Sequence, residues 1–295
     1  MPHITGHTEL VGLMAYPIRH SGSPATHNLA YDHNGDDVVQ IAFEVDEKAL
    51  PAAVESIRAL RMLGSNISMP NKQAVLPYLD ELDASAELAQ AVNTVVNLRG
   101  EDGTVTGRLR GYNTDGMGYW KALAEEGIFA QGKHLVLIGC GGAASAIAAS
   151  GAAEGLASVD FFNIDDAFFM AGKALAARIE GATSCRAAVH ALGNRELLRE
   201  KLLEADILCD ATGAGMHPLE DLCNIPDATY LHEGLVVTDT VYVPSETPLL
   251  RLAREAGLSR VYNGTGMMLY QALTAIKLYT GKETDAAYMR EKLSL

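Results

Sequence analysis

The segment HLVLIGCGGAA, residues 134–144, joins an apolar run to a glycine-rich turn. The run His134–Ile138 predicts a buried β-strand, and the alanine-rich stretch after the glycines predicts a helix that ends near Glu154. Glycines at such a turn let the backbone approach a pyrophosphate, and the start of the helix offers free N–H groups to the phosphates. The spacing is G-x-G-G-A rather than the full G-x-G-x-x-G. The predicted dinucleotide site therefore depends on the strand before the turn and the helix after it.

The sequence on both sides of this segment alternates short β-rich runs with longer helical patterns, which is typical of an α/β protein with parallel sheets. The order of these patterns predicts a doubly wound, Rossmann-type dinucleotide-binding domain over residues 114–264. A first α/β domain would comprise residues 1–113. Two further helices are predicted within residues 265–295, and they have no sheet of their own. We therefore expect them to return to the first domain and complete it.

Acidic residues end the strand that follows the glycine turn. In Asn163-Ile164-Asp165-Asp166, a carboxylate about 20 residues beyond the glycines can accept hydrogen bonds from adenosine ribose hydroxyls, and it would repel a 2′-phosphate. No arginine stands in this loop to hold such a phosphate. The segment predicts NAD as the preferred cofactor, with NADP as the alternative. One of the two aspartates is also expected to cap the helix near Ala167.

The composition excludes several classes of protein. The chain has 295 residues, 48% of them apolar, and a formal net charge of −14, which disfavours nucleic acid as a partner. No apolar run is long enough to span a membrane, and the N-terminal residues lack the pattern of a signal peptide. The four cysteines are scattered, so we expect neither disulfides nor a metal site. These features predict a cytoplasmic protein without a nucleic-acid or membrane partner, and a homodimer stays open.

Five short segments carry polar side chains that a hydrophobic core does not require. They are residues 20–28 (HSGSPATHN), 66–72 (NISMPNK), 91–94 (AVNT), 111–116 (GYNTDG) and 264–271 (GTGMMLYQ). Each has an ordinary structural explanation as a turn, a helix cap, a residue that compensates a helix dipole, or a solvated lysine. For the first segment, the ordinary explanation is a plain turn in which Ser23 caps a helix that starts at Pro24, and the alternative is that the Ser21 and Ser23 hydroxyls face one carboxylate. No single segment establishes a site.

Taken together and in order, these segments resemble the shikimate dehydrogenase family, including its quinate/shikimate dehydrogenase branch. The resemblance runs nearly end to end, from Val11 to the final helices. Its matching residues are Ser21 and Ser23, Asn66, Ser68 and Lys72, Ala91–Thr94, Asn113–Asp115, Gly139–Ala143, Gly215–Pro218, Val241–Pro244 and Gln271. So many short matches in the same order are far more specific than any one of them.

The resemblance implies two α/β domains that flank a cleft, and the NAD(P)-dependent, reversible oxidation of shikimate or quinate to the 3-dehydro acid by hydride transfer. It implies that Lys72 and Asp115 form the proton-transfer pair. The substrate-binding residues would be Ser21, Ser23 and Tyr242 on the carboxylate, Asn93 and Gln271 on ring hydroxyls, and Ser68. The cofactor-binding residues would be Gly139, Gly141, Gly142, Ala143, Asn163, Asp165, Asp166, Thr212, Val241, Gly264 and Met267. No metal is implied.

Several positions depart from the family pattern. Gly22 replaces a larger apolar residue between the two serines, and Ser68 replaces a threonine, so extra room beside the substrate is expected to admit quinate as well as shikimate. The basic cluster usual after Asn163 is absent. Asp210 and Val243 each replace an asparagine, and the sequence offers no explanation for a charge at Asp210.

Other interpretations of the function stay open at this point. The departures favour, as an alternative, a dehydrogenase of a related polyhydroxy or amino-substituted ring acid. A dinucleotide-binding regulator without turnover is a second alternative, although such a protein has no need of Lys72 and Asp115. A methylene-tetrahydrofolate-type dehydrogenase has a similar two-domain plan, but Ser21, Ser23 and Gln271 favour the ring-acid substrate.

Overall fold

The computed structural model describes residues 4–295. Residues 1–3, which begin the segment predicted not to be a signal peptide, lie outside the described residues. In chain order the strands and helices are β1 (Glu9–Ala15), α1 (Ser23–Asn34), β2 (Val38–Glu44), α2 (Leu50–Ala59), β3 (Gly64–Ile67), α3 (Asn71–Ala74), β4 (Glu81–Leu82), α4 (Ala84–Ala89), β5 (Thr94–Arg99), β6 (Val105–Tyr112), α5 (Thr114–Glu125), β7 (His134–Ile138), α6 (Gly142–Ala153), β8 (Ser158–Asn163), α7 (Ala167–Ala182), β9 (Arg186–Ala191), α8 (Arg195–Glu204), β10 (Ile207–Asp210), β11 (Val236–Asp239), α9 (Pro248–Glu255), β12 (Val261–Tyr262), α10 (Thr265–Thr280) and α11 (Ala286–Leu293). Short 3-10 helices lie at Leu76–Tyr78 and Ala228–Tyr230.

The chain folds into two compact units. The first reaches to Gly118 and resumes with Leu269–Leu295, and the second comprises Tyr119–Met268. Each division falls inside a helix, α5 or α10, a few residues beyond the boundary expected from the sequence. The C-terminal helical segment Leu269–Leu295 belongs to the first unit.

The first unit contains a six-stranded sheet in the order β2-β1-β3-β5-β6-β4. Strands β2, β1 and β3 are parallel, whereas β5 is antiparallel to both β3 and β6. The prediction of a parallel sheet is therefore confirmed for β2, β1 and β3 and wrong for β5, so the sheet is mixed. The short link between β5 and β6 explains the difference, because a parallel crossover needs a dozen or more residues. The apolar face of α2 packs on this sheet through Leu50, Val54 and Ile57.

Two local predictions in the first unit also need correction. Helix α1 begins at Ser23, and its N-cap is Gly22, which makes no side-chain hydrogen bond; the expected capping by Ser23 is wrong. The hydroxyl of Ser21 instead accepts the backbone N–H of Ser23 at 3.2 Å, so the turn before the helix supplies its own acceptor. Helix α4 was not expected from the sequence, and Asp83 caps it.

The second unit is a six-stranded, wholly parallel sheet in the order β12-β11-β10-β7-β8-β9. The strand order reverses beside β7, which lies between β8 and β10. In doubly wound sheets, ligands bind at this reversal, outside the carboxyl ends of the strands. The structure confirms the predicted Rossmann-type domain and places the glycine turn at that point. Among residues 4–295, no helix is long and apolar enough to cross a membrane.

Candidate active site

The strands of the first unit bring Lys72, Asn93 and Asp115 together. Asn66 at the end of β3 lies opposite Thr94, and Thr94 lies opposite Tyr112 at the end of β6. Because β5 is antiparallel to both neighbours, its first residues meet the last residues of β3 and β6. Lys72 follows β3, Asn93 precedes β5 and Asp115 follows β6. The antiparallel hairpin that the sequence analysis missed is thus what makes the three side chains meet.

The amine of Lys72 and the carboxylate of Asp115 form a close ion pair. The distance from Lys72 Nζ to Asp115 Oδ2 is 2.6 Å, and the side chains keep 28% and 21% of their exposure. Asn93 Nδ2 donates to the other oxygen, Oδ1, at 2.8 Å. The carboxylate is therefore fixed by two donors, while the ammonium group, with three N–H bonds, keeps donors for a ligand.

A buried hydrogen-bond network fixes the side-chain amide of Asn93. Its Oδ1 accepts the backbone N–H of Thr114 at 2.7 Å and the hydroxyl of Thr94 at 3.1 Å. Asn66 Nδ2 donates to Thr94 Oγ1, and Gln40 Nε2 donates to Asn66 Oδ1 at 2.7 Å. With its oxygen engaged in this way, Asn93 must turn its NH2 group toward Asp115. Gln40 was not predicted from the sequence, although a glutamine inside the apolar run of β2 was a signal for a buried polar contact.

The remaining predicted substrate residues occupy both units. Ser21 and Ser68 follow β1 and β3, which are parallel neighbours, so both lie at the carboxyl edge of that strand pair. Both side chains are partly exposed, as is Ser23. Gly22 lies open, because a Cβ there would meet nothing within 4 Å. Tyr242 belongs to the second unit and is 47% exposed. The joint role predicted for it with the two serines stays a prediction.

Gln271 lies on α10 against Gly118 of α5. A Cβ built on Gly118 would stand 2.4 Å from the backbone nitrogen of Gln271 and 2.7 Å from its Cα. Such distances are too short for any side chain, so the absence of one allows the two helices to touch. The close contact fixes the position of Gln271.

Substitution of Gly118 with alanine is therefore expected to push α10 away from α5. Overpacking of this kind costs about 1–3 kcal/mol, so the melting temperature should fall, and the KM for the acid substrate should rise as Gln271 shifts. Thermal unfolding and steady-state kinetics measure the two effects. Gly181→Ala on α7 is the matched control, because its Cβ would meet nothing within 4 Å. Equal stability of the two variants would contradict the proposed close contact.

The glycine turn of the second unit fits a dinucleotide phosphate group. Gly139 has φ +100°, a conformation that favours glycine. Gly141 is the N-cap of α6 and offers no side-chain acceptor, so the first N–H groups of the helix remain available to an anion. A Cβ at Gly141 or Gly142 would meet nothing within 4 Å, and Ala143 follows in the first turn. The space above the turn is therefore open to a ligand.

Asn163 and Asp166 hold the neighbouring loop in place. Asn163 Oδ1 accepts the N–H of Cys140 at 3.0 Å, and its Nδ2 donates to Asp166 Oδ1 at 2.8 Å. Asp166 also caps α7 by accepting the N–H of Phe168 at 2.9 Å. The expectation that one aspartate caps this helix is confirmed. Asp165 is exposed, and its predicted contact with a ribose stays a prediction.

A cavity of about 300 Å³ adjoins the glycine turn. Apolar side chains line much of it, including Ile164, Phe168, Leu192 and Leu222. Such a slot suits a flat adenine ring. Thr212 also lines the cavity, and its Cγ2 would lie 3.0 Å from a Cβ on Gly139.

The other predicted cofactor residues follow the neighbouring strands. Val241 is buried just beyond β11, and its carbonyl accepts the N–H of Gly264 at 2.9 Å. A Cβ on Gly264 would stand 2.0 Å from the carbonyl oxygen of Thr240, so only glycine fits there. Met267 packs partly against the core of this unit. Within residues 4–295, no group of three or more His, Cys, Asp or Glu side chains is arranged to hold a metal ion.

The Rossmann-type unit, with an open glycine turn at the reversal of its strand order, is typical of NAD(P)-dependent oxidoreductases. Residues 13–95 match the family model described as the shikimate dehydrogenase substrate binding domain. The chain is 45% identical over 290 residues to a shikimate dehydrogenase (NADP(+)) of Streptococcus uberis, with 98% of this chain and 97% of the relative covered. It is 44% identical over 289 residues to a quinate/shikimate dehydrogenase of Escherichia coli, with 98% of each covered.

A solved structure to which the chain is similar belongs to the same family as these relatives. Shikimate 5-dehydrogenase from Listeria monocytogenes, in complex with shikimate and NAD, is 43% identical, with a TM-score of 0.94 and 99% of both chains covered. The chain belongs to the shikimate dehydrogenase family, as the resemblance of its motifs indicated.

Proposed function

We propose that this protein oxidises a ring hydroxyl of shikimate or quinate reversibly to the 3-dehydro acid, with NAD(P) as the hydride acceptor. Family membership supports the reaction class. The single observation that carries the assignment of residues is the ion pair between Lys72 Nζ and Asp115 Oδ2 at 2.6 Å, because it sets an amine and a carboxylate at one position in the unit that contains the matched substrate-binding segment.

The proposed roles of the residues follow from the two groups that an alcohol loses when it is oxidised. Oxidation removes a hydride from the ring carbon and a proton from its hydroxyl. The nicotinamide, when bound, supplies the acceptor of the hydride. The neutral amine of Lys72 accepts the proton and becomes an ammonium group, or the ammonium form relays it by passing one of its own protons to Asp115, which also orients the amine and the hydroxyl. In the reverse direction Lys72 donates the proton to the ketone oxygen, so both directions use the same two residues.

The other polar groups would orient the acid. Ser21 and Ser23 offer hydroxyl donors to the carboxylate, with Tyr242 as a third donor. Asn93 uses one hydrogen of its NH2 group on Asp115, and the second is available to a ring hydroxyl. Gln271 would bind another hydroxyl. None of these contacts requires a metal.

The cofactor preference that the second unit supports is NAD. Asp165 follows β8 as an exposed carboxylate, and within the described chain no lysine or arginine lines the adjoining cavity. A carboxylate there accepts ribose hydroxyls and repels a 2′-phosphate. The names of the relatives differ on this point, since one specifies NADP(+) and one solved complex contains NAD.

The acid specificity is proposed to include both shikimate and quinate. The open space at Gly22 and the small side chain of Ser68 leave room for the additional hydroxyl of quinate. Discrimination by one small group amounts to about 1–3 kcal/mol, or roughly 10–200-fold in kcat/KM. A strict preference for shikimate would remove this part of the proposal.

A steady-state panel of two acids and two cofactors, followed by nicotinamide absorbance, tests the proposed function. We expect turnover of both acids and a kcat/KM for NAD at least about tenfold above that for NADP, since a hydrogen bond to a charged group contributes about 1.5–3 kcal/mol. Asp165→Ser should reduce this ratio, whereas Glu233→Gln, which removes an exposed carboxylate elsewhere in the unit, should leave it unchanged. No turnover of either acid would leave a non-catalytic dinucleotide-binding protein as the better interpretation.

Two further predictions from the sequence remain predictions. A cytoplasmic location agrees with four cysteines that are all free. A homodimer is open to measurement by light scattering of the purified protein.

A further inference from the structure

Two buried carboxyl groups stand side by side at the carboxyl edge of the second sheet. Asp210 ends β10 and Asp239 ends β11, and the two residues are register partners in parallel strands. Neighbouring strands lie about 4.8 Å apart, and partners at the same register position project from the same face of the sheet. The residues are only 1% and 3% exposed. The aspartate that replaces the usual asparagine at position 210 is therefore paired with Asp239 and is not an isolated charge.

Asp210 organises the loop that follows β10. Its Oδ1 accepts the backbone N–H of Thr212 at 3.0 Å and the Thr212 hydroxyl at 2.6 Å. Its Oδ2 accepts from Asn224 Nδ2 at 2.9 Å. Three donors thus converge on one carboxyl group, an arrangement that suits the charged form.

Asp239 organises the loop that follows β11. Its Oδ1 accepts the backbone N–H of Val241 at 2.9 Å, and its Oδ2 accepts the hydroxyl of Thr247 at 2.7 Å. The Thr247 hydroxyl oxygen also accepts the N–H of Leu250, at the start of α9. A hydroxyl can act as donor or acceptor, so Thr247 is able to accept a proton from Asp239.

Within the described part of the chain, no cation pairs with these two groups. Among residues 4–295, neither carboxyl forms an ion pair with a lysine, arginine or histidine. The other titratable groups nearby are the thiols of Cys209 and Cys223, and Arg195 binds the carbonyl of Asn224 rather than a carboxylate. Burial raises the pKa of Asp210, and burial followed by the charge of Asp210 raises the pKa of Asp239 to about 7.

We propose that Asp210 and Asp239 form a positioning pair that shares one proton and holds in place the two loops that carry Thr212 and Val241. The proton resides on Asp239, which donates it to Thr247, while Asp210 stays charged and keeps its three donors. Both loops carry residues of the proposed cofactor site, and the inference rests on that site. Loss of the proton places two negative charges side by side and loosens both loops, so the cofactor is held less well.

The pair makes a defined prediction for the protein without cofactor. The folded pKa of Asp239 lies above the value of about 3.9 that is usual for an unfolded aspartate. The folded state therefore binds more protons than the unfolded state between these two values, and stability falls as the pH rises from about 4 to about 7. Asp210→Asn, which removes the neighbouring charge, should move the end of this fall to a lower pH. The stability of Asp239→Asn should decrease less over this pH range than that of the wild type or of Asp210→Asn.

Binding of NAD and of NADP, measured by calorimetry between about pH 5.5 and pH 9, tests the effect on the loops. The wild-type Kd of the preferred dinucleotide should rise through a one-proton step near pH 7, by about tenfold if the coupling is near 1.4 kcal/mol. The step should lie at lower pH in Asp210→Asn and be absent in Asp239→Asn, whose amide can still donate to Thr247. Asp239→Ala, which makes no such bond, should bind weakly at every pH.

Glu255→Gln on the exposed surface of α9 is the charge-matched control and should titrate as the wild type does. If stability or Kd changes at the same pH in Asp210→Asn as in the wild type, the proposal that the two carboxyl groups share a proton is wrong. If the stability changes with pH as predicted but the Kd of the dinucleotide does not, the pair does not position the cofactor loops and that part of the proposal is wrong. If neither dinucleotide binds at any pH, the proposed cofactor site fails, and the stability curves still decide whether the proton is shared.

Discussion

Replacement of Lys72 with alanine is expected to lower kcat for shikimate oxidation by about 10²–10⁴-fold, the usual contribution of a positioned general acid or base. The variant retains Asp115 and Asn93, but no amine remains to accept the proton of the alcohol. The affinity for the dinucleotide should change little, because the proposed cofactor residues lie in the second unit. Steady-state rates and a fluorescence titration with the cofactor measure the two quantities separately.

Lys277→Ala is the matched control for this variant. Lys277 also belongs to the first unit and pairs with a carboxylate, Glu283, but both side chains are largely exposed. Its loss should leave kcat and KM unchanged, since exposed ion pairs contribute little. Comparable rates for Lys72→Ala and Lys277→Ala would mean that the role assigned to Lys72 is wrong.

Asp115→Asn is expected to have the second-largest effect, again a loss of about 10²–10⁴-fold in kcat. Two donors converge on the carboxylate, Lys72 Nζ at 2.6 Å and Asn93 Nδ2 at 2.8 Å. An amide of the same shape has a single acceptor oxygen, so one donor loses its partner. The amine also loses the negative charge that holds it in place. The reaction should therefore slow although the volume of the side chain is unchanged.

A double-mutant cycle separates this role from a merely structural one. If Lys72 and Asp115 act as one unit, the double variant should be about as slow as the slower single variant, because the effects of cooperating catalytic residues are not additive. Full additivity of the two losses would contradict the pairing. Thermal unfolding of the same variants shows whether either loss of rate reflects a loss of folded protein.

Much of the second unit was predictable from the sequence. Its central strands β7, β8, β10 and β11 are buried on both faces, and such strands read as continuous apolar runs bounded by turns. The run His134–Ile138 and its glycine turn lie where the pattern predicted them. In the first unit the mixed sheet was not predicted, because the parallel arrangement expected from alternating α and β patterns was extended to β5 and β6, which follow one another without a helix between them. The short link after β5 was the signal that a parallel arrangement was impossible.

The candidate site was predictable only in part. Lys72 and Asp115 are distant in the chain, and spacing alone does not show that they meet; the resemblance of the motifs to a known family supplied that expectation. The side chains behind them were missed for a physical reason. Gln40 acts through Asn66 and Thr94, and these contacts depend on the order and register of three strands. The pairing of Asp210 with Asp239 likewise depends on the register of β10 and β11.

The most direct test of the proposed proton transfer is a crystal structure of this protein with shikimate and its cofactor bound. The decisive quantity is the distance from Lys72 Nζ to the oxygen of the hydroxyl that is oxidised. We expect about 2.6–3.2 Å, with Asp115 beside the same oxygen. A bound acid whose reacting hydroxyl faces other side chains, with Lys72 turned away from it, would contradict the proposed proton transfer by Lys72 and Asp115.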